Sequence, residues 1–263
     1  MIFLLSPAKS LDYKMPLNKV YQQALPSVAQ FPKQTQVLVK QLRKIKPTAL
    51  SDLMNISDKL AQLNHWRFKD FSPEFTAENS RPAFWAFDGD VYDGLRARTL
   101  SSSELAWAQQ HVRMLSGLYG LLRPLDSMQP YRLEMGTSLP NKFGKNLYAV
   151  WKGSIANALN AELKSAEMKT VVNLASDEYF KSVDLKLLKA EVIQPVFQER
   201  KSKLAPYKVV SFSAKKARGM MVRFAIDRRL THASELQAFK EYGYTFDACT
   251  SDQYKWLFRR DLF

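Results

Sequence analysis

Short runs rich in β-branched and aromatic residues alternate along this chain with longer stretches of helical apolar spacing, and this alternation most constrains the fold. The short runs predict strands at residues 2–5, 84–87, 170–174, 191–197, 207–212, 244–246 and 254–258. The longer stretches predict helices at residues 34–45, 48–55, 58–69, 102–115, 148–164 and 215–230. Strands interleaved with helices indicate an α/β sheet covered by helices, with the last strands forming an antiparallel hairpin at one edge.

The domain organisation follows from what the chain lacks. It has no internal repeat, no low-complexity tract and no Gly/Ser linker, and its 12 prolines are scattered. Hydrophobic residues make up 46% of the 263 residues, which is enough to form a sizeable core without covalent links. We therefore predict a single compact domain that spans residues 1–263.

The cellular compartment is suggested by the cysteine content and by the first residues. Cys249 is the only cysteine, so one chain contains no internal disulfide and no thiolate-clustered metal site. The apolar run that follows Met1 has no basic segment before it and is too short for a signal peptide or a membrane span. We expect a cytoplasmic protein without a membrane partner.

The charge is strongly positive and unevenly distributed. Lys and Arg number 39 against 25 Asp and Glu, for a net charge of +14 and a pI near 9.7. Residues 33–46 and 208–229 are basic, whereas residues 70–104 are acidic. This polarity favours a basic face over a uniformly positive surface, and it predicts a polyanionic partner, with double-stranded DNA favoured.

Four polar segments are expected at the ends of strands, at residues 6–9, 88–92, 175–179 and 213–219. In open α/β sheets ligands bind beyond the carboxyl ends of the strands. If the strands are parallel neighbours, these segments converge on one crevice that contains cations and carboxylates. The alternative is a set of capped helix starts and turns that never meet.

The segment at residues 213–219 opens the most basic helix of the chain. Ser213 is its expected N-cap, and Gly219 would allow a backbone or a phosphate to approach closely. Lysines beside a helix N-terminus are typical of anion sites, although a solvated basic helix face has the same pattern. The candidate phosphate ligands here are Lys215, Lys216, Arg218 and Arg223, and Lys9 joins them from the first segment.

A second candidate element is a helical hairpin at about residues 48–69. Two short helices joined at Asn55, Ile56 and Ser57 would bury Ile56 and expose backbone N–H groups. This pattern is similar to a helix-hairpin-helix element, which grips a DNA phosphate without reading bases. Asn55 and Ser57 replace the usual glycines, so an ordinary αα-hairpin is also possible. Asn55, Ser57 and Lys59 are the candidate contacts.

Known catalytic and metal-binding motifs are absent from the sequence. There is no G-x-S-x-G, P-loop, Rossmann G-x-G-x-x-G or H-E-x-x-H motif. His65, His111 and His232 are far apart and do not have metal-like spacing with one another or with Cys249. We predict neither a cofactor nor a metal site.

Several separate blocks, in order, resemble the YaaA family of bacterial peroxide-stress proteins. They read SPAK at residues 6–9, LSGLYGLLRPLD at 115–126, PYRLEMG at 130–136, NLASDEYF at 173–180 and KKARG at 215–219. The sequence departs from the family pattern at Ser10, where threonine is common, and its tail after Tyr244 is less similar. The resemblance covers nearly the whole chain.

The resemblance implies a cytoplasmic protein that limits damage to DNA and protein during hydrogen peroxide stress, partly by keeping unincorporated iron low. It also implies a one-domain α/β fold of unusual topology, sometimes called the cantaloupe fold. That fold would carry a positively charged cleft, a helix-hairpin-helix element and duplex DNA binding. It implies no enzymatic reaction.

Two other functions remain open from the residues. In the first, the protein is an enzyme that acts on a nucleotide or another phosphorylated small molecule. Lys9, Lys215 and Arg218 would hold the anion, while Asp177 or Glu178 served as general acid or base. In the second, carboxylates at Asp88, Asp90, Asp177 and Glu178 would hold iron, although their spacing is not diagnostic.

Overall fold

A mostly parallel sheet of seven strands, in the order β10-β11-β9-β8-β1-β5-β6, forms the centre of the molecule. The computed structural model describes residues 1–263. The strands are β1 Ile2–Leu5, β2 Ser10–Leu11, β3 Arg81–Pro82, β4 Phe87–Asp88, β5 Val112–Ser116, β6 Gly120–Leu122, β7 Ser127–Met128, β8 Thr170–Asn173, β9 Glu191–Arg200, β10 Thr245–Phe246 and β11 Lys255–Asp261. Strands β2 and β4 form one small antiparallel pair, and β3 and β7 form another.

Eleven α-helices and three 3₁₀ segments surround the sheet. The helices are α1 Lys19–Gln23, α2 Pro32–Leu42, α3 Pro47–Met54, α4 Asp58–Asp70, α5 Ala83–Ala86, α6 Asp90–Leu95, α7 Ser102–His111, α8 Leu147–Trp151, α9 Ser154–Ser165, α10 Asp177–Phe180 and α11 Ser211–Arg228. The 3₁₀ segments are Ala97–Thr99, Ala233–Ala238 and Glu241–Gly243. No helix combines the length and the apolar character needed to cross a membrane.

The central strand is β1, and all four of its residues are buried. It pairs in parallel with β5 on one side and with β8 on the other, so that Leu4 lies beside both Arg113 and Asn173. A strand covered on both faces reads as a continuous apolar run, which is why its position was predictable. The prediction of a mixed α/β fold built on one sheet is confirmed.

One hydrophobic core of 67 buried residues connects the sheet to the helices. Helix α11 packs against α6 and also contacts β9 and β1. This contact is close because Gly219 of α11 and Gly94 of α6 each face the backbone of the other helix, where a Cβ atom would overlap a carbonyl oxygen. The interior therefore has the continuous packing of a single folding unit.

Most strand predictions agree with the structure, including the antiparallel pairing of β10 with β11 at the sheet edge. Two were wrong. Residues 84–87 lie mainly in the buried helix α5, and residues 207–212 form only one bridge, between Glu199 and Lys208, before α11 begins. Residues 84–87 are aromatic and buried, a pattern for which periodicity does not distinguish a helix from a strand, whereas residues 207–212 are mostly exposed.

Two helix predictions were too long. The stretch 102–115 ends as a helix at His111, and its remainder is β5, a strand buried along its whole length. The stretch 148–164 divides into α8 and α9 at Gly153, whose φ of 78° is incompatible with a continuous right-handed helix.

Candidate functional site

The direction of sheet growth reverses at β1, because the chain passes first to β5 on one side and later to β8 on the other. A crevice at such a reversal, outside the carboxyl ends of the strands, is the usual ligand position in open α/β sheets. Ser6 and Ser176 follow β1 and β8, and the Ser176 N–H donates to Ser6 Oγ at 2.9 Å. The Tyr92 hydroxyl donates to the Ser6 carbonyl at 3.1 Å. Three of the four polar segments are therefore in contact.

Lys9 follows β1 at the same edge of the sheet as Ser6 and Ser176, and we call this region the crevice. Its Nζ lies 3.0 Å from Glu134 Oε2, and the other oxygen of Glu134 accepts a hydrogen bond from Arg132 at 3.1 Å. The Lys9 side chain is still 65% exposed, so its ammonium group can meet a ligand. Glu134 and Arg132 were not among the candidate site residues. Their only signal was their place in the block at residues 130–136.

The two carboxylates after β8 have different surroundings. Glu178 Oε1 accepts the Gly136 N–H at 2.8 Å, so this side chain fixes the loop that also carries Glu134. Asp177 is exposed and forms no hydrogen bond through its side chain, and its negative charge acts on Arg218. Glu178 is thus held in place by the fold, whereas Asp177 is free.

Helix α11 brings basic side chains to the same edge of the sheet, because it begins soon after β9 ends there. Lys215 is exposed, and Lys216 Nζ lies 5.1 Å from the centre of the Tyr242 ring. Burial lowers the pKa of the Arg218 guanidinium, and the negative charge of Asp177 opposes that shift. Arg218 has no ion pair within the protein, so its donors are available to an anion.

The expected cap of α11 was wrong. Val210 is the N-cap and makes no side-chain cap bond, whereas Ser213 lies inside the first turn and is buried. Its Oγ accepts a hydrogen bond from Arg260 at 3.0 Å, and Arg260 is paired with Glu199 at 2.6 Å. A buried ion pair, not a serine cap, therefore anchors the start of this helix.

Two other residues of α11 are used for packing. The space that a side chain would occupy at Gly219 is taken up by the backbone of α6, so it is not open to a ligand. Arg223 lies farther along the helix, where it bonds Asp227 at 2.6 Å and Thr99 Oγ1 at 2.8 Å. Its guanidinium is thus held among α11, α7 and the 3₁₀ segment near Thr99, and it is set apart from Lys215 and Arg218.

The helical hairpin lies where the sequence placed it, between α3 and α4. Asn55 adopts a left-handed conformation with φ 48°, Ile56 is 9% exposed, and Ser57 caps α4 by accepting the Leu60 N–H. The backbone N–H groups of Asp58 and Lys59 have no acceptor within the protein, as is usual at the start of a helix. Asn55, Ser57 and Lys59 are all exposed.

Helix α4 links the hairpin to the crevice. Arg67 lies about 15 Å farther along this helix than its N-cap, Ser57. Burial lowers the Arg67 pKa, and the nearby positive charge of Arg132 lowers it further. Since Arg132 shares Glu134 with Lys9, electrostatic interactions link the hairpin helix to the segment after β1. The two candidate elements, far apart in sequence, are parts of one connected region.

Buried polar groups lie beneath the crevice. Burial raises the pKa values of Tyr92, Tyr131 and Tyr179, so these hydroxyls stay protonated. The Tyr131 hydroxyl lies 2.6 Å from Ser116 Oγ at the end of β5. Asn173, 1% exposed at the end of β8, has a side-chain N–H group without an acceptor. Such a group is uncommon in a folded protein.

The four carboxylates considered as iron ligands do not come together. Nowhere in the chain do three or more His, Cys, Asp or Glu side chains cluster closely enough to hold a metal ion. Asp88 is exposed and pairs through its backbone with Ser10, while Glu178 is engaged with Gly136. The geometry gives no support for a joint iron site.

Comparison with known proteins agrees with the sequence resemblance. A family model described as peroxide stress protein YaaA matches residues 1–250. A UPF0246 protein of Cupriavidus metallidurans is 53% identical over 100% of this chain and 99% of its own length. UPF0246 proteins of Ralstonia nicotianae and Ralstonia pickettii are 53% and 52% identical over 99% and 100% of this chain, and over 99% and 100% of their own lengths. The chain therefore belongs to the YaaA family of peroxide stress proteins.

Proposed function

We propose that this protein acts in the cytoplasm during hydrogen peroxide stress by binding double-stranded DNA without sequence preference, and so helps limit iron-dependent damage. The binding energy would come mainly from lysine and arginine contacts to phosphates, with release of counterions. No element of the crevice has the form of a base-reading helix in a groove, so we expect backbone contacts to dominate.

The observation that carries the proposal is the hairpin between α3 and α4. Its free N–H groups at Asp58 and Lys59 point out of the start of a 13-residue helix, where the helix dipole favours an anion. Exposed lysines flank it on both sides, at Lys44, Lys46 and Lys59. Asp58 is also exposed there and weakens the positive potential, so the lysines must supply the attraction.

Lys215 and Arg218 support a second set of contacts on the same protein. Arg218 is half-buried and without an ion pair, which gives a pre-oriented donor at little entropic cost. Lys9 is exposed although ion-paired, and it is also part of the crevice. A DNA duplex that contacted both the hairpin and the crevice would also cover α4, which links the two.

The first test compares variants in a fluorescence anisotropy titration with two unrelated duplexes. We expect Lys215→Glu combined with Arg218→Gln to weaken binding by about tenfold or more, since charge-assisted contacts contribute about 1.5–3 kcal/mol each. Arg218 is changed to Gln because a second carboxylate beside Asp177 would be repelled. Lys59→Glu should have an effect in the same direction.

The matched control, with the same change in net charge, is Lys164→Glu combined with Lys169→Gln. These lysines are exposed, and Lys169 directly precedes β8, at the sheet edge opposite the crevice. If the control loses as much affinity as the crevice variant, at equal melting temperatures, binding depends on net charge alone. Absence of binding even at low salt would refute the proposal.

An enzyme acting on a phosphorylated small molecule is the second candidate, and the buried Asn173 amide without an acceptor favours it. Asp177→Asn separates the two. A DNA-binding protein should bind duplex equally well or slightly more tightly after this change, because a carboxylate beside Arg218 repels phosphates. Loss of peroxide protection in cells with duplex affinity and thermal stability intact would favour the enzyme.

A further inference from the structure

Three arginines from separate parts of the chain come together around Tyr13, and we call Arg67, Arg81 and Arg132 the arginine cluster. Arg81 lies 6.0 Å from the centre of the Tyr13 ring. The Tyr13 hydroxyl donates at 2.5 Å to the carbonyl of Met128, the residue that pairs with Arg81 between β3 and β7. Burial raises the pKa of the Tyr13 hydroxyl and the charges of Arg67 and Arg81 oppose that rise, while burial and the charge of Arg132 lower the pKa of Arg67. These side chains come from α4, β3 and the loop after β7.

Two of these guanidinium groups have a buried donor without an acceptor. The Nε atoms of Arg81 and Arg132 are shielded from solvent and make no hydrogen bond. One terminal nitrogen of each is held in place, since Arg81 Nη1 donates to the Ser80 carbonyl at 2.8 Å and Arg132 Nη2 to Glu134 at 3.1 Å. The orphan donors therefore cannot be explained by freely moving side chains. Each implies an acceptor that the protein does not supply.

The charge around the cluster is also only partly compensated. Lys9 and Arg132 both pair with one carboxylate, Glu134, and the exposed Glu78 acts on Arg81 without forming an ion pair with it. Asp12 lies next to Tyr13 in sequence, but it pairs with Arg98 at 3.0 Å. Asn64 is near Arg67 and contributes only a neutral oxygen, at 3.3 Å. Several positive charges that lie close together and are partly buried destabilise the folded protein unless an anion binds among them.

We propose that the arginine cluster is a binding site for a phosphate monoester. Planar guanidinium groups bind phosphate oxygens in pairs, and a dianion fits the excess positive charge better than a single carboxylate does. The same chemistry is present in a free nucleoside monophosphate and in the 5′-phosphate at a DNA end. This site does not depend on duplex binding at the hairpin, and inorganic phosphate can therefore probe it alone.

The test is a calorimetric titration of the intact protein with inorganic phosphate, at constant ionic strength set by chloride, and then with a nucleoside monophosphate. Arg67→Gln should weaken both interactions by about tenfold, since one charge-assisted contact contributes about that much. Arg228→Gln, which removes an exposed charge at the far end of α11, should leave both unchanged.

A second readout does not require the variant to bind anything. Without phosphate, Arg67→Gln should melt at the same temperature or higher, because it removes a repelled charge, whereas a purely structural arginine would lower the melting temperature when lost. Phosphate should raise the melting temperature of the wild type. If Arg67→Gln does not fold, the titration of the wild-type protein with phosphate still tests whether the site binds phosphate.

The source of the phosphate is identified by comparing duplexes with 5′-phosphate and 5′-hydroxyl ends. Tighter binding of the phosphorylated duplex, lost in Arg67→Gln, assigns the site to DNA ends. Equal binding of both duplexes, together with phosphate and nucleotide binding, assigns it to a free small molecule. No binding of phosphate or nucleotide at millimolar concentration, with no preference for the phosphorylated end, overturns the proposal.

Discussion

At the scale of single residues, the arginines of this protein divide into two kinds. Arg113 and Arg260 are buried and paired with Glu162 and Glu199 at 2.7 and 2.6 Å. Arg67 and Arg218 are partly buried without a carboxylate partner, and burial lowers the pKa of both. The first kind holds the fold together, and the second is available to a ligand. Composition alone does not distinguish them.

The Glu199–Arg260 pair provides a test of the statement that buried, paired arginines hold the fold together. Replacing Glu199 with Gln leaves the Arg260 charge buried and only partly bonded, so we expect a loss of about 3 kcal/mol in the free energy of unfolding. Denaturant unfolding measures it. The control Asp227→Asn, in an exposed pair with Arg223, should cost less than about 1 kcal/mol. Equal effects of the two changes would contradict this account of the helix start.

The same pair predicts an acid dependence of stability. Burial by itself would raise the Glu199 pKa, but hydrogen bonds from Arg260 and Ser213 outweigh it and bring the pKa below 4.5. The folded state then binds this proton less readily than the unfolded state, so the stabilisation is present above pH 4.5 and is lost as the pH falls below it. Between pH 5 and pH 3, Glu199→Gln should lose less stability than the wild type.

At the scale of elements, the predictions succeeded where one pattern dominates. Strand β9 alternates buried and half-buried residues, and β1 is short, apolar and bounded by Ser6 and Pro7. Two of the failures are segments that are buried along their whole length. Strand β5 follows α7 without a break, so its apolar residues read as one more helical turn, and α5 reads as a strand because it is aromatic.

The contact between α6 and α11 gives a prediction at this scale. Gly219→Ala should reduce the free energy of unfolding by more than about 2 kcal/mol, because the added Cβ would overlap the carbonyl oxygen of Val91 and push the helices apart. Lys215→Ala, at an exposed position of the same helix, is the control and should be nearly neutral. A Gly219→Ala protein as stable as the wild type would contradict the packing.

At the scale of the whole molecule, the sequence predicted which segments carry polar groups but not how they combine. Ser6 and Ser176 meet because β1 and β8 are neighbours, which requires the strand order. The arginine cluster draws on three distant segments, and no local pattern marks Arg67 or Arg81 as different from other arginines. The hairpin was predictable since its helices, turn and buried Ile56 lie within one short stretch.

The central claim is that the hairpin and the crevice together form a DNA-binding surface, and the salt dependence of duplex binding tests it most directly. Each phosphate contact contributes about 0.9 to the slope of log K against log salt concentration. Removing Lys59, Lys215 and Arg218 together, each as Gln, should therefore reduce the slope by about 2 to 3 relative to the wild type. A slope equal to that of the wild type, in a variant that folds normally, would contradict the claim.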